Sequence, residues 1–355
     1  MKAVLLAGGF GTRLRPLTLN TPKPIVPIFD RPFLYHQTDL LRQVPEIDEV
    51  ILSLNYQPER IAAVVGHGEE AGLRIRYLVE PNPLGTGGAL KYAEPYLDGT
   101  TIVFNGDVLT EIDLPAVLER HRARAARATI VLTAVDNPSD YGLVETNEDG
   151  NVHRFLEKPN PDQITCDTIN AGIYVLEPAT FDRIPIETKY SIEQEYFPSL
   201  VERGETFVAH IDRGYWLDIG TPAKYLQAHR DILDGRCRSG SFTSRGDTDP
   251  TIAPDATVDP SAHIEGPCFI GQNAAIHAGV TVSAHSVIGR GVVLGSGASV
   301  HQSIIWPDSC IGAGARVNGV VIGHRCDIGA HACLGNGVVL GDGSTITAYS
   351  QIIHT

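Results

Sequence analysis

The run Leu6-Ala-Gly-Gly-Phe-Gly-Thr-Arg-Leu-Arg-Pro-Leu-Thr18, continued by Thr21-Pro-Lys-Pro24, gathers the residue types that bind anions. It follows a short apolar stretch that reads as a first β-strand. A glycine-rich turn at a strand end lets backbone N–H groups approach a phosphate. No Gly-Lys-Ser/Thr follows, so it is not a Walker loop, and Leu14 stands where a dinucleotide fingerprint needs its third glycine. Three cations, Arg13, Arg15 and Lys23, come directly after the turn. That pattern predicts a polyphosphate pocket.

Two carboxylates stand in similarly suggestive places. Asp107 follows Asn105-Gly106 at the end of a predicted strand, and Asp218 lies in Trp216-Leu-Asp-Ile-Gly220. Carboxylates from distant segments can share one Mg²⁺, which takes hard oxygen ligands.

These residues need elements to hold them. Apolar runs predict strands at 2–7, 50–54, 74–78, 101–104, 129–135 and 171–176, separated by helical patterns such as 31–44. Asp113-Leu-Pro115 opens another helix, with Asp as cap and Pro in the first turn. Glu148-Asp-Gly-Asn151 reads as a hairpin turn. The alternation implies an α/β, Rossmann-like mixed sheet.

The last third is different. Residues 236–355 hold 18 of the chain's 36 glycines and no lysine. Ile252, Val258, Ile264, Ile270, Ile276, Val282, Ile288, Leu294 and Val300 recur at an unbroken spacing of six. With roughly a quarter of residues aliphatic, eight further matches by chance are on the order of 10⁻⁵. Ile305, Ile311 and Val317 continue after a one-residue slip; a second slip precedes Ile322, Ile328, Leu334, Leu340, Ile346 and Ile352. Period six fits neither helix nor free strand but a left-handed parallel β-helix of hexapeptide repeats. Glycine follows many of the anchors, where tight corners, including positive φ, are expected. The predicted domains are 1–235, a linker at 236–251, and a β-helix at 252–355.

The motifs resemble those of the sugar-nucleotide pyrophosphorylases, a nucleotidyltransferase family. Besides the opening run, the chain carries in order Pro83-Leu-Gly-Thr-Gly-Gly88, Asn105-Gly-Asp107, Tyr141-Gly142, Phe155-Leu-Glu-Lys-Pro159, Ile169-Asn-Ala-Gly172, Ser191-Ile-Glu-Gln-Glu195 and Trp216-Leu-Asp-Ile-Gly220. The resemblance implies transfer of a nucleotidyl group from an NTP to a sugar 1-phosphate, releasing pyrophosphate, with Mg²⁺. It assigns catalysis to Arg13, Lys23, Asp107, Lys158 and Asp218, the metal falling to Asp107 and Asp218. The nucleotide falls to Leu6, Ala7, Gly8, Gly9, Gly11, Thr12, Arg13, Glu80, Pro83, Gly85 and Thr86. The sugar phosphate falls to Tyr141, Gly142, Glu157, Lys158, Asn170, Gly172 and Glu193.

Glu80 bears on the base. Thymidylyltransferases of the family carry Gln at the matching place. A carboxylate only accepts hydrogen bonds, and guanine alone of the common bases presents two adjacent donors. Glu80 and the Pro22-Lys23-Pro24 context therefore point to GTP; the resemblance as a whole implies the branch that uses mannose 1-phosphate. Thymidylyl or uridylyl transfer to glucose 1-phosphate and guanylyl transfer to a heptose phosphate are the alternatives.

Two other functions compete. His263, His277, His285, His301, His324, His331 and His354 lie in the β-helix, where acyltransferases place a general base. A non-catalytic nucleotide-sugar sensor would expect eroded catalytic motifs, and these are in place. His324-Arg-Cys326 and His331-Ala-Cys333 suggest zinc only weakly, because the two pairs differ in offset from their anchors. A net charge of −14 argues against nucleic-acid or anionic-membrane partners. No apolar run reaches membrane-spanning length. Six cysteines without a Cys-x-x-Cys pair predict a reduced, cytoplasmic protein. The open ends of a β-helix predict a homo-oligomer.

Overall fold

The computed structural model describes residues 1–238 and 248–353. Near the N-terminus the alternating pattern produces one nine-stranded sheet. Its strands are β1 (Lys2–Leu6), β2 (Glu49–Leu54), β3 (Arg74–Val79), β4 (Thr101–Asn105), β5 (Ala128–Ala134), β6 (Gly142–Thr146), β7 (Val152–Glu157), β8 (Thr168–Leu176) and β9 (Phe207–Ile211). The spatial order is β7-β6-β8-β4-β1-β2-β3, with β5 on β8 and β9 on β5. β4, β1, β2 and β3 run parallel, and β8 runs antiparallel to β4, β5 and β6. The sheet is mixed, as expected. Ala3, Val4 and Leu5 are wholly buried, which is why β1 reads as a continuous apolar run rather than an alternating one.

Helices α1 (Phe33–Leu41), α2 (Pro58–Val65), α3 (Gly85–Ala93) and α4 (Leu114–Ala123) follow β-strands or turns. Asp113 caps α4 as expected, its Oδ1 accepting the Ala116 N–H at 3.1 Å. The hairpin joining β6 and β7 closes through the Asn147 N–H on the Asn151 carbonyl at 2.9 Å.

The hexads build three sheets of six short parallel strands each. Anchors stack in register: Ile252, Ile270, Ile288, Ile305, Ile322 and Leu340 form one column. Val258 to Ile346 and Ile264 to Ile352 form the other two. This is the arrangement of a left-handed parallel β-helix. Anchors of the inner coils are buried, whereas Ile252 and Ile352 at the two ends are 39% and 37% exposed. Each coil thus depends on its neighbours for burial.

Positive φ falls elsewhere than the sequence suggests. Glycines directly after an anchor have ordinary φ. From Ile270 to Ile346 the left-handed residue comes three positions after the anchor, for example Gly279 (φ 66°), His285 (φ 60°) and His331 (φ 59°). After Val300 and Val317 it comes two positions on, at Gln302 and Gly319. Those shortened corners absorb the two slips in the repeat. The glycine after the anchor answers a different need, close stacking of the next coil. A Cβ on Gly312 would stand 2.6 Å from the Ala330 nitrogen and 2.8 Å from the Ile328 oxygen. Backbone cannot yield there, so Gly312→Ala should destabilise by about 1–3 kcal/mol. Thermal unfolding of the full chain checks this, and a midpoint within about 1 °C of wild type would contradict it.

Contacts group the chain into two units. One contains Met1–Gly9 and Leu34–Trp216; the other joins Phe10–Phe33 to Leu217–Thr355. Most of the expected linker, residues 239–247, and His354 lie outside the described residues. Cys166, Cys237, Cys268, Cys310, Cys326 and Cys333 carry free thiols. Among the described residues no helix is long and apolar enough to cross a membrane.

Candidate active site

In the first unit, β1 ends at Leu6 and runs into Ala7-Gly8-Gly9. A Cβ on Gly8 would lie 3.3 Å from both the Asn55 nitrogen and Glu80 Oε1, so the turn passes close over Glu80. Glu80 is only 6% exposed. Ser53 donates its hydroxyl to Oε1 and Leu84 its N–H to Oε2, both at 2.9 Å. Burial pushes the Glu80 carboxyl above its ordinary pKa, and those two donors pull it back. Each oxygen keeps one lone pair for a further donor.

The glycines of Pro83–Gly88 serve packing. Gly85 has φ 71°, and a Cβ there would meet the Tyr190 oxygen at 2.8 Å. The Gly87 and Gly88 N–H groups both donate to that same oxygen, at 2.8 and 3.2 Å. Thr86 donates its hydroxyl to Glu193 Oε2 at 2.8 Å and accepts the Ile192 N–H at 2.9 Å. Thr86 and Glu193, 107 residues apart, are therefore brought together.

Asp107 follows β4. Gly106 before it is forced by close approach, since a Cβ would sit 2.6 Å from the Leu6 oxygen. Helix α1 holds this corner through a polar residue that lies outside every motif. Gln37, 1% exposed, donates Nε2 to the Asn105 carbonyl at 2.8 Å and to the Val108 carbonyl at 3.2 Å. A buried amide on an apolar helical face was the available signal.

The groups assigned to the sugar phosphate lie on β6, β7 and β8. Gly142 has room only for hydrogen: a Cβ would be 2.7 Å from Phe155 and 3.0 Å from Glu157 Oε2. Burial, then the charge of Glu193, raises the Glu157 carboxyl, and Lys158 lowers it. Lys158 takes φ 51°, a left-handed backbone unusual for lysine. Its N–H donates to the Tyr141 carbonyl at 3.0 Å. Such strain persists where the surroundings over-determine it. In β8 the pairing shifts between Asn170 and Tyr174. Asn170 bridges that bulge, accepting the Gly172 N–H on Oδ1 and donating Nδ2 to the Tyr174 hydroxyl, both at 2.9 Å. Trp216 donates its indole N–H to the Ala171 carbonyl at 2.9 Å and meets Tyr141 edge-on, with centroids 5.6 Å apart.

The second unit carries Arg13, Lys23 and Asp218. Gly11 takes φ 60°, and its carbonyl accepts the Thr18 hydroxyl at 2.7 Å. A Cβ on Gly11 would lie 3.4 Å from Lys23 Cβ, which places Lys23 against the turn. Thr12, Arg13 and Leu14 form a single helical turn with Leu14 buried and Arg13 exposed. Gly220 makes room for two groups at once: a Cβ there would be 3.0 Å from an Arg13 guanidinium nitrogen and 3.1 Å from Asp218 Oδ2. Arg13 and Asp218 therefore share the space beside Gly220. The Lys224 ammonium pairs with Asp218 Oδ1. Lys224, in the first turn of α5 (Pro222–Leu233), is a further cation that the motif reading missed, because it lies past the recognisable run.

In the β-helix, His324 packs against Trp306 with centroids 4.9 Å apart, and His331 stacks on Tyr349 at 5.0 Å. Cys326 Sγ donates to the Gly341 carbonyl at 3.2 Å. Among the described residues no three histidine, cysteine or acidic side chains gather as a metal group.

The chain belongs to the nucleotidyl transferase family, which matches residues 2–235, and residues 264–354 match the GMPPB C-terminal domain. It is 39% identical over 338 residues to a probable mannose-1-phosphate guanylyltransferase 2 of Arabidopsis thaliana, covering 91% of this chain and 90% of that protein. It is 37% identical to the mannose-1-phosphate guanylyltransferase of Mycobacterium tuberculosis, covering 88% and 81%. Among solved structures, HddC from Yersinia pseudotuberculosis complexed with GMP-PN is similar at a TM-score of 0.55 and 32% identity, covering 64% of this chain and 97% of that one. The chain is a sugar-1-phosphate nucleotidyltransferase by family.

Proposed function

We propose that the protein transfers the guanylyl group of GTP to mannose 1-phosphate, giving GDP-mannose and pyrophosphate. The activities of the relatives named above support this reading, and the observation that carries it is Glu80. Its buried carboxylate, held by Ser53 and Leu84, has one free lone pair on each oxygen. Guanine supplies the two matching donors, its ring N–H and its amino group.

A phosphate oxygen of the sugar phosphate attacks the α-phosphorus of GTP as the bond to the β-phosphate oxygen breaks. Like charges must meet, so positioning and charge neutralisation dominate. Lys158 is assigned to the attacking phosphate, with Glu157, Glu193, Tyr141, Gly142, Asn170 and Gly172 around the sugar. Arg13 and Lys23 are assigned to the β- and γ-phosphates, and Leu6 to Gly9, Gly11, Thr12, Pro83, Gly85 and Thr86 to the nucleotide.

Family chemistry of this kind uses a divalent metal, and we assign Mg²⁺ to Asp107 and Asp218. The donor set fits: both ligands are hard carboxylates, and Asp218 already holds a cation, the Lys224 ammonium. When bound, the metal neutralises phosphate charge. The domain of residues 1–235 carries this chemistry, 236–251 connects, and 252–355 is a scaffold through which copies associate in the cytoplasm.

Pyrophosphate release across a panel of NTPs and sugar 1-phosphates tests the reading. GTP with mannose 1-phosphate should give the highest kcat/KM. Glu80→Gln should erode the GTP preference by roughly 10–10², the worth of a charge-assisted hydrogen bond. Unchanged GTP preference in that variant would refute the base assignment. Turnover of no pair at all would favour a sensor.

A further inference from the structure

The segment that bears Arg13 and Lys23 has little structure of its own. Residues Thr12–Leu14, Leu17–Leu19 and Lys23–Ile25 are isolated single helical turns. One turn orders several dihedrals for few hydrogen bonds and is unstable without outside support. Within the second unit that support comes from one edge of the β-helix, the corner following the column Ile270, Ile288, Ile305, Ile322 and Leu340.

The contacts run in order along that edge. Asp30 Oδ1 accepts the Arg290 N–H at 2.9 Å, and Phe29 meets Phe269 edge-on with centroids 5.2 Å apart. Further on, Trp306 donates its indole N–H to the Tyr225 hydroxyl at 2.9 Å, and Tyr225 donates that hydroxyl to the Pro27 carbonyl. Nearest the cations, Thr21 donates its hydroxyl to Asp342 Oδ2 at 2.9 Å. Asp342 is itself fixed, Oδ1 accepting the His324 N–H at 2.9 Å. Beside it, a Cβ on Gly341 would stand 3.1 Å from the Pro16 oxygen, so the chain rests directly on the corner.

We infer that Asp342 is a positioning residue for Arg13 and Lys23: through Thr21 it fixes the segment between them to a β-helix corner. The β-helix is then part of the catalytic apparatus, and its last coils set where two phosphate-binding cations stand. The inference rests on the assignment of those cations to the nucleotide.

The test uses the full chain with Thr21→Val, Asp342→Ala, Asp342→Asn and the Thr21→Val/Asp342→Ala double variant. Hydrogen–deuterium exchange over residues 10–28 is read beside steady-state kinetics. Thr21→Val and Asp342→Ala should each lower kcat about 3- to 10-fold, the net worth of one typical intramolecular hydrogen bond. KM for the sugar 1-phosphate should stay unchanged, and exchange should rise over residues 10–28. The double variant should be no worse than Asp342→Ala alone, because the Thr21 bond is already absent there. Asp342→Asn should recover most of the rate, since its amide still pairs with Thr21. Additive losses, or wild-type kcat and exchange in Thr21→Val, would overturn the inference. If Asp342→Ala fails to fold, Thr21→Val decides by the same two readouts. If the wild-type chain turned over no nucleotide, the functional reading would fall, while the exchange data would still judge the anchoring.

Discussion

Arg13→Ala lowers kcat by about 10²–10³ at saturating substrates, the usual cost of removing one preorganised electrostatic stabiliser. The reason lies in where charge accumulates. As the α-phosphorus is attacked, negative charge moves onto the leaving pyrophosphate, which only fixed cations neutralise without reorganisation. Arg13 is exposed, and its guanidinium occupies the space that Gly220 leaves open beside Asp218. No core contact is lost on truncation, so the unfolding midpoint should hold while the rate falls. Arg13→Lys keeps the charge but not the planar fork, and should recover only part of the rate. Single-turnover pyrophosphate release measures both variants. A kcat within threefold of wild type for Arg13→Ala would remove Arg13 from the catalytic set.

The second large effect is that of Asp107→Asn, expected to cost about 10²–10⁴ in rate at fixed metal concentration, because it removes one of the charged ligands assigned above to a hard cation. The corner presenting Asp107 is held independently, by Gln37 on the Asn105 and Val108 carbonyls and by Gly106 against Leu6. The amide substitution should therefore leave the backbone in place. A Mg²⁺ titration separates the causes: excess metal should partly restore turnover if ligation is lost. An activity that is low but indifferent to metal would argue that Asp107 acts otherwise.

What could be read from the sequence follows from the range of the interactions. The β-helix register was visible down to its two slips, because each hexad repeats one local environment and the anchors stack on their own kind. The opening run stood out for a similar reason: its glycines and cations lie within some twenty residues of one another. The φ > 0 positions were misplaced, because close stacking and left-handed geometry both select glycine, and only coordinates separate them. The same confusion affects Gly85, Gly87 and Gly88, whose approach to Tyr190 and Thr188 depends on chain a hundred residues away. Gln37 belongs to no motif. Its partners are two backbone carbonyls, which have no letter in the sequence. The joining of residues 10–33 to the β-helix was equally invisible, since Thr21, Asp30 and Asp342 are unremarkable alone.

That joining has a consequence for how the protein is made. Thr21 and Asp342 are 321 residues apart. At about 5–20 residues per second, roughly 16–64 s of translation separate their appearance on the ribosome. The sheet strands that flank the opening glycine turn are complete long before. Throughout that interval the cation-bearing stretch must wait without its clamp, and closing so long a loop is among the slowest contacts a chain makes. The ordering of residues 10–28 is therefore expected last, as a late event of biogenesis, and nascent chains stalled before the final coils should hold the nine-stranded sheet but turn over nucleotide poorly.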